Sequence, residues 1–188
     1  MVDSSSRDIA NAIHISEDNV GGTFHYRAYE NAELVSSKQL TTFSDHRFPI
    51  ETPDHISLPQ YVEYLHSYVN KFALQPHLRM GCRVTGIEPL AKSTDEKWKH
   101  RVKYTDKHGG NESQTFDCSH IAICTGLHVE PNIPNLPGIE NIKGEVFHSS
   151  SYKKRVQLTG RDVLIMGCGE TAMGKFHPLD YEMLLIRS

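Results

Sequence analysis

The sequence lacks several features that would place it directly in a class of proteins. Its four cysteines, Cys82, Cys118, Cys124 and Cys168, form no C-x-x-C pair, which argues against a zinc knuckle or a disulfide scaffold. No apolar run approaches the roughly 18 to 20 residues of a membrane span, and the first residues do not resemble a secretory signal. We therefore expect a soluble, cytoplasmic protein without a membrane span.

An excess of charge of one sign is also missing. The chain has 20 Lys plus Arg against 23 Asp plus Glu, and no basic block of the kind that follows a phosphate backbone, so nucleic acid is not an expected partner. The 12 histidines form neither H-E-x-x-H nor H-x(3-5)-H, which argues against a protein-held metal. With 38% hydrophobic residues over 188 positions, the composition is that of one large or two small globular domains.

A helix followed by three short strands is predicted for the middle of the chain. Apolar residues between Leu58 and Leu74 recur at the spacing of an amphipathic helix, with Ser57 as a cap and Pro59 in the first turn. The helix should end before Pro76, which cannot continue the hydrogen-bond pattern. Three further segments predict an antiparallel meander with a turn at Gly109-Gly110-Asn111: residues 84–90, 101–104 and 114–116.

Two short apolar segments are predicted to be buried strands that end at ligand-binding loops. The first, Ile121–Cys124, runs into Thr125-Gly126, as a strand of a parallel sheet does at a ligand loop. The second, Arg161–Met166, precedes a G-x-G-x-x-A pattern, Gly167-Cys168-Gly169-Glu170-Thr171-Ala172. In dinucleotide-binding loops the first glycine makes the tight turn and the second admits a pyrophosphate, while the third small residue lets helix and strand pack. An ordinary glycine turn is the alternative.

One longer motif resembles a known family. Residues 142–153, IKGEVFHSSSYK, are similar to the signature F-x-G-x-x-x-H-x-x-x-[FY]-K of flavin-containing monooxygenases, with Ile142 in the position of Phe. The related Baeyer-Villiger monooxygenases usually have Trp-Pro where this chain has Tyr152-Lys153, so that chemistry is a minor alternative. Other segments resemble the family in the same order: Val20-Gly21-Gly22-Thr23-Phe24, Ser37-Lys38, Phe43-Ser44-Asp45, and Thr125-Gly126 followed by Pro131, Pro134 and Gly138.

The resemblance implies an oxidoreductase that binds FAD and NADPH and uses oxygen to oxygenate the nitrogen or sulfur of small nucleophilic substrates, as dimethylaniline monooxygenases do. In the family, the diglycine turn passes beside the flavin, and a strand residue at the position of Val84 meets the adenine of FAD. The turn at Thr125-Gly126 closes over FAD, and the signature histidine, here His148, lies beside the NADP pocket. The implied cofactor-binding residues are Gly21, Gly22, Thr23, Phe24, Ser37, Lys38, Val84, Thr125, Gly126, His148, Gly167, Gly169, Glu170 and Thr171.

A basic cluster follows the signature. Lys153, Lys154, Arg155 and Arg161 are of the type that meets the 2′-phosphate of NADPH. A solvated charged face is the alternative, and it is the commoner role for such clusters.

The fold class expected from these patterns is α/β, an incomplete FAD/NAD(P)-binding Rossmann-type fold of three layers with an antiparallel meander. We expect a partial FAD-binding domain over 1–127, a linker carrying the signature over 128–160, and the start of a truncated NADP-binding unit over 161–188. No G-x-G precedes Gly21, and the family's glycine loop for the FAD pyrophosphate is therefore missing from the chain. Uncovered sheet edges would then favour self-association.

These departures leave three hypotheses. The first is a flavin-dependent monooxygenase by resemblance that is weakly active or inactive as this chain. The second is a disulfide oxidoreductase that uses pyridine nucleotides, which is disfavoured because five residues separate Cys118 from Cys124. The third is a non-catalytic remnant or interaction protein that keeps the flavoprotein scaffold, which the missing glycine loop supports.

Overall fold

The computed structural model describes residues 13–14, 17–90, 99–110, 112–126, 130–131, 133, 135–166 and 183–187. The α-helices are α1 (Thr23–Tyr26), α2 (Lys38–Thr41) and α3 (Leu58–Lys71). The strands are β1 (Ile13–His14), β2 (Leu78–Arg79), β3 (Cys82–Pro89), β4 (His100–Asp106), β5 (Ser113–Cys118), β6 (Val146–Phe147), β7 (Asp162–Met166) and β8 (Met183–Arg187). Short 3-10 turns cover Gln75–His77, Ile139–Asn141, Ser149–Ser151 and Arg155–Leu158.

The chain divides into two compact units. The first unit comprises Met1–Gly22 and Glu63–Thr125, and the second comprises Thr23–Val62 and Gly126–Ser188. The boundary therefore falls inside α3. The division of the chain at residues 127 and 160, which the resemblance implies for its cofactor domains, stays a prediction.

Helix α3 begins and ends with hydrogen-bonding motifs. The Ser57 hydroxyl accepts from the amide of Gln60 (3.4 Å), while the Gln60 side chain accepts from the amide of Ser57 (3.1 Å), a reciprocal capping box. At the other end, Ala73 adopts a left-handed φ of 51°, and the amide of Leu74 donates to the carbonyl of Val69 (2.9 Å). This closing turn ends the helix at Lys71, three residues before the predicted Leu74, because a left-handed residue cannot continue it.

The predicted meander is confirmed in the first unit. Strands β3, β4 and β5 pair antiparallel in that order, with Val84 opposite Tyr104 and an irregularity between Val84 and Gly86. Tyr104 is buried, and its hydroxyl accepts from Arg79 (2.9 Å) and donates to Gln114 (2.8 Å). Of the predicted turn, Gly109 and Gly110 lie in a turn, with Gly110 at a φ of 81°, and Asn111 lies outside the described residues. Strands β1 and β2 add a short parallel pair.

The second unit has a sheet in the order β6-β8-β7, in which β8 is antiparallel to both neighbours. Its buried residues include Ala32, Leu34 and Ile56, and the amide of Leu34 donates to the carbonyl of Ile56 (2.9 Å). Among the residues that the structure describes, no helix is long and apolar enough to cross a membrane.

Of the two predicted buried strands, one is wrong and the other forms but is not buried on both faces. Ile121–Cys124 forms no strand, and 72% of Ile123 is exposed, because no described strand pairs with this segment to satisfy its backbone groups. Strand β7 does form, but it starts at Asp162 and alternates, with 61% of Leu164 exposed. Its apolar run indicated burial on both faces, whereas the described packing covers the face with Val163 and Ile165.

Candidate functional site

The signature segment of the second unit is organised around one buried tyrosine. Only 2% of Tyr152 is exposed, and its ring lies edge-on to that of Tyr29, with 5.8 Å between the centroids. Four further side chains complete this cluster: Phe147, Leu158, Val163 and Ile165. Burial, together with the nearby carboxylate of Glu30, raises the pKa of the Tyr152 phenol. The aromatic position of the signature thus anchors β6 and β7 in the core of this unit.

His148 begins the turn that leads to Tyr152. Its Nδ1 accepts a hydrogen bond from the amide of Ser150 (3.1 Å) and lies 2.9 Å from the Ser150 hydroxyl. His148 is therefore the N-cap of the 3-10 turn Ser149–Ser151. Its predicted role beside the NADP pocket stays a prediction, and the structure adds this local role.

Lys153 connects the signature to the segment that follows the diglycine turn. Its ammonium donates to the carbonyl oxygens of Tyr26 (3.2 Å) and Ala28 (3.3 Å). The carbonyl of Lys153 accepts from the amide of Glu30 (2.8 Å), and the Glu30 carboxylate accepts from the amide of Arg155 (2.9 Å). The signature and residues 26–30 therefore form one hydrogen-bonded structure.

The predicted flavin turn has the backbone shape that requires glycine. Gly21 and Gly22 have φ values of 118° and 49°, and the space that a Cβ of Gly22 would occupy is open. Within the second unit, Thr23 opens α1 and accepts at its carbonyl from the amide of Arg27 (2.9 Å). Phe24 is 38% exposed and packs edge-on against Tyr61, at 4.9 Å between centroids. The positive φ values of Gly21 and Gly22 and the open space at Gly22 leave this part of the backbone accessible to a ligand.

Ser37 and Lys38 have local structural partners. Ser37 occupies the N-cap position of α2 without a side-chain capping bond. The Lys38 ammonium donates to the carbonyl oxygens of Ile50 (2.7 Å) and Thr52, and lies 3.5 Å from that of Pro49. Lys38 therefore holds the loop 49–52, and its predicted contact with the cofactor stays a prediction.

The other predicted FAD residues that the structure describes are accessible. Val84 is 42% exposed, at the irregular position of β3. Thr125 and Gly126 are exposed in the turn after the 121–124 segment, and Gly126 has a φ of 77°. The predicted NADP loop, with Gly167, Gly169, Glu170 and Thr171, lies outside the described residues.

Two residues of the basic cluster, Lys153 and Arg161, have partners within the protein. Arg161 pairs with Glu145 at 2.8 Å, and Lys153 is bound to the carbonyl oxygens of Tyr26 and Ala28. Lys154 and Arg155 are exposed. Within the described part of the chain, no group of His, Cys, Asp and Glu is arranged to hold a metal ion.

Sequence reasoning missed the residues that bind and pack against the signature segment. Tyr29 and Glu30 match no periodic pattern or motif, and Glu30 lies 125 residues from Arg155 along the chain. Gln157, whose side-chain oxygen accepts from the amides of Lys153 (2.6 Å) and Lys154 (2.8 Å), was likewise not singled out. The one signal in the sequence for this contact was Glu30 itself, an acidic residue close to Tyr26 and Tyr29 in the segment after the diglycine turn.

Comparison with known proteins shows which family the chain belongs to. The family described as flavin-binding monooxygenase-like matches residues 4–176. The chain belongs to this family, which confirms the resemblance stated from the signature.

Relatives with curated names agree with this assignment. The chain is 49% identical over 159 residues to Monooxygenase PC-14 of Penicillium crustosum, covering 84% of this chain and 26% of that protein. It is 30% identical over 166 residues to Flavin-containing monooxygenase 5 of Rattus norvegicus, covering 82% of this chain and 30% of that protein. The chain thus spans between a quarter and a third of the length of these relatives.

Solved structures confirm the α/β, Rossmann-type fold class. Cyclohexanone monooxygenase bound to epsilon-caprolactone is 27% identical, with a TM-score of 0.59 over 84% of this chain and 30% of that one. Tmm from Pelagibacter sp. strain HTCC7211 shares the fold at 16% identity, with a TM-score of 0.69 over 80% of this chain and 37% of that one. A third structure is a mutant cyclohexanone monooxygenase from Rhodococcus sp. Phi1 that is bound to NADP+. It is 25% identical, with a TM-score of 0.51 over 71% of this chain and 24% of that one.

Proposed function

We propose that this chain supplies part of an FAD- and NADPH-dependent monooxygenase that oxygenates the nitrogen or sulfur of small nucleophilic substrates. The observation that carries the proposal is the family match over residues 4–176, which includes every predicted cofactor-binding residue. When bound, FAD would supply the oxygen chemistry after reduction by NADPH, because no amino-acid side chain activates oxygen by itself.

The described residues fit a flavin in one segment in particular. The positive φ values at Gly21 and Gly22 leave the backbone open to a close approach, and nothing lies within 4 Å of a Cβ built at Gly22. In this proposal Gly21, Gly22, Thr23 and Phe24 contact the ring end of FAD, as the resemblance implies. The main chain at Val84 and the turn at Thr125-Gly126 hold its remaining length.

Oxygenation of ketones is the second candidate function. It is favoured by the likeness to cyclohexanone monooxygenase at 27% identity. The Tyr152-Lys153 pair, in place of the usual Trp-Pro, favours the first candidate. Substrate comparison distinguishes the two, since one class oxidises amines and sulfides and the other ketones.

The test is the visible absorption of the purified chain between about 350 and 500 nm, before and after addition of FAD and then NADPH under air. A bound flavin band that bleaches with NADPH supports the proposal. Failure to bind FAD at all would contradict it for this chain and favour the non-catalytic alternative.

A matched pair of glycine variants makes this test specific. Gly22→Ala and Gly110→Ala each place a Cβ in open space at a positive φ, of 49° and 81°, so both variants strain the backbone without a steric clash. Gly110 lies in the turn between β4 and β5. We expect Gly22→Ala to weaken FAD binding about tenfold more than Gly110→Ala, since only Gly22 faces the proposed flavin.

A further inference from the structure

The last two residues of the signature are bound to a segment more than a hundred residues earlier in the sequence. Helix α1 has four residues, and its carbonyl groups near Tyr26 have no partner within so short a helix. The Lys153 ammonium donates to the carbonyls of Tyr26 and Ala28, at 3.2 and 3.3 Å. A cation at this end of a helix both satisfies the carbonyls and opposes their partial negative charge.

The backbone on either side of Lys153 is fixed independently of its side chain. The amide of Lys153 donates to the Gln157 side chain (2.6 Å), and its carbonyl accepts from the amide of Glu30 (2.8 Å). The buried ring of Tyr152 packs on Tyr29. The ammonium therefore extends from a backbone that is already fixed, so its hydrogen bonds restrain residues 26–28.

We propose that Lys153 is a positioning residue that holds α1, and with it Thr23 and Phe24, in the conformation required by the cofactor. The part of this inference that concerns the cofactor rests on the proposed function. The restraint that Lys153 exerts on residues 26–28 does not depend on any ligand. In this proposal the signature lysine binds the carbonyl oxygens of Tyr26 and Ala28, and it does not bind the 2′-phosphate of NADPH.

The test compares Lys153→Met with Lys154→Met in the full chain without added cofactor. Both changes remove one lysine ammonium, but the Lys154 side chain is exposed and the structure gives it no carbonyl partner in residues 26–28. Amide hydrogen exchange is followed by mass spectrometry in peptides that contain Arg27 and Glu30, whose amides are hydrogen-bonded in the native chain. We expect exchange in Lys153→Met to be about tenfold faster than in Lys154→Met within this segment alone, and Lys153→Arg to restore most of the protection.

Equal exchange in the two methionine variants, or faster exchange throughout the chain that Lys153→Arg does not reverse, would overturn the inference. FAD titration of the same proteins tests the part that depends on the cofactor. If the unmodified chain binds FAD, Lys153→Met should bind it at least several-fold more weakly than Lys154→Met, and equal binding would overturn the cofactor role. If the unmodified chain binds no FAD, the proposed function and the cofactor role both fail, while the exchange comparison still decides whether Lys153 restrains α1.

Discussion

The ammonium nitrogen of Lys38 donates a hydrogen bond to the carbonyl oxygen of Ile50 at 2.7 Å. The side chain of Ile50 is itself 87% exposed, so side-chain burial does little to keep this part of the loop in place. Lys38 also donates to the carbonyl of Thr52, and its amide donates to the carbonyl of Asp54 (2.7 Å). One lysine thus organises a loop that follows α2, in a segment predicted to contact FAD.

We expect Lys38→Met to loosen this loop without unfolding the chain. Loss of charge-assisted bonds to carbonyl groups should increase local opening about tenfold. The measurement is the rate of tryptic cleavage after Arg47, two residues before the loop. Lys143→Met, which removes an exposed lysine, serves as the control, and equal cleavage rates in the two variants would contradict the role assigned to Lys38.

A cross-strand ion pair in the meander predicts a pH dependence of stability. Arg101 Nε and Nη2 donate to the two carboxylate oxygens of Asp117, at 2.7 and 2.8 Å, and these hydrogen bonds lower the pKa of Asp117. Because the native pKa is below the unfolded value of about 4, the pair stabilises the fold above that pH. The stabilisation is lost as the pH falls through the native pKa.

We therefore expect Asp117→Asn to lower the urea midpoint at pH 7, and the difference from the unmodified chain to shrink as the pH is lowered below about 4. The effect should be small because both side chains are partly exposed, at 41% and 35%. Glu112→Gln, a change at an exposed carboxylate near the start of β5, is the control. A difference that stays constant between pH 7 and pH 3 (about one unit below the ordinary carboxyl pKa) would exclude the linkage.

The elements predicted correctly are those whose signals are local in sequence. The spacing of apolar residues after Leu58 and the cap at Ser57 predict α3 because helix formation depends on neighbours three and four residues away. The short strand segments and the glycine turn predict the meander because antiparallel strands joined by a tight turn are neighbours in sequence. The structure adds the Gln60 half of the capping box and the left-handed turn at Ala73, neither of which the spacing reveals.

The elements that were predicted wrongly or missed depend on tertiary contacts, that is, on which distant residues pair or pack with a segment. Ile121–Cys124 has the composition of a buried strand, but a strand also needs a partner, and its sequence carries no information about one. The contacts between Lys153 and Tyr26 join residues 127 positions apart. The signature located the lysine, but only the fold shows which carbonyl groups it binds.

His148 offers a prediction that separates its local role from any contact with a cofactor. Because the amide of Ser150 donates to Nδ1 at 3.1 Å, the imidazole must carry its hydrogen on Nε2 when neutral. We expect nitrogen chemical shifts of the labelled ring to report this tautomer. His148→Asn keeps an acceptor at the capping position, since asparagine is a favoured N-cap residue, whereas His148→Leu removes it.

The expected cost of His148→Leu is about 1 kcal/mol in the free energy of unfolding, and that of His148→Asn is smaller because asparagine can also cap. Urea unfolding at neutral pH measures both. Equal losses in the two variants, or a neutral ring with its hydrogen on Nδ1, would show that capping is not what His148 contributes. If the asparagine variant keeps its stability but binds NADP+ more weakly, the Nε2 side of the ring faces the cofactor while Nδ1 holds the turn, and the signature histidine has two separable functions.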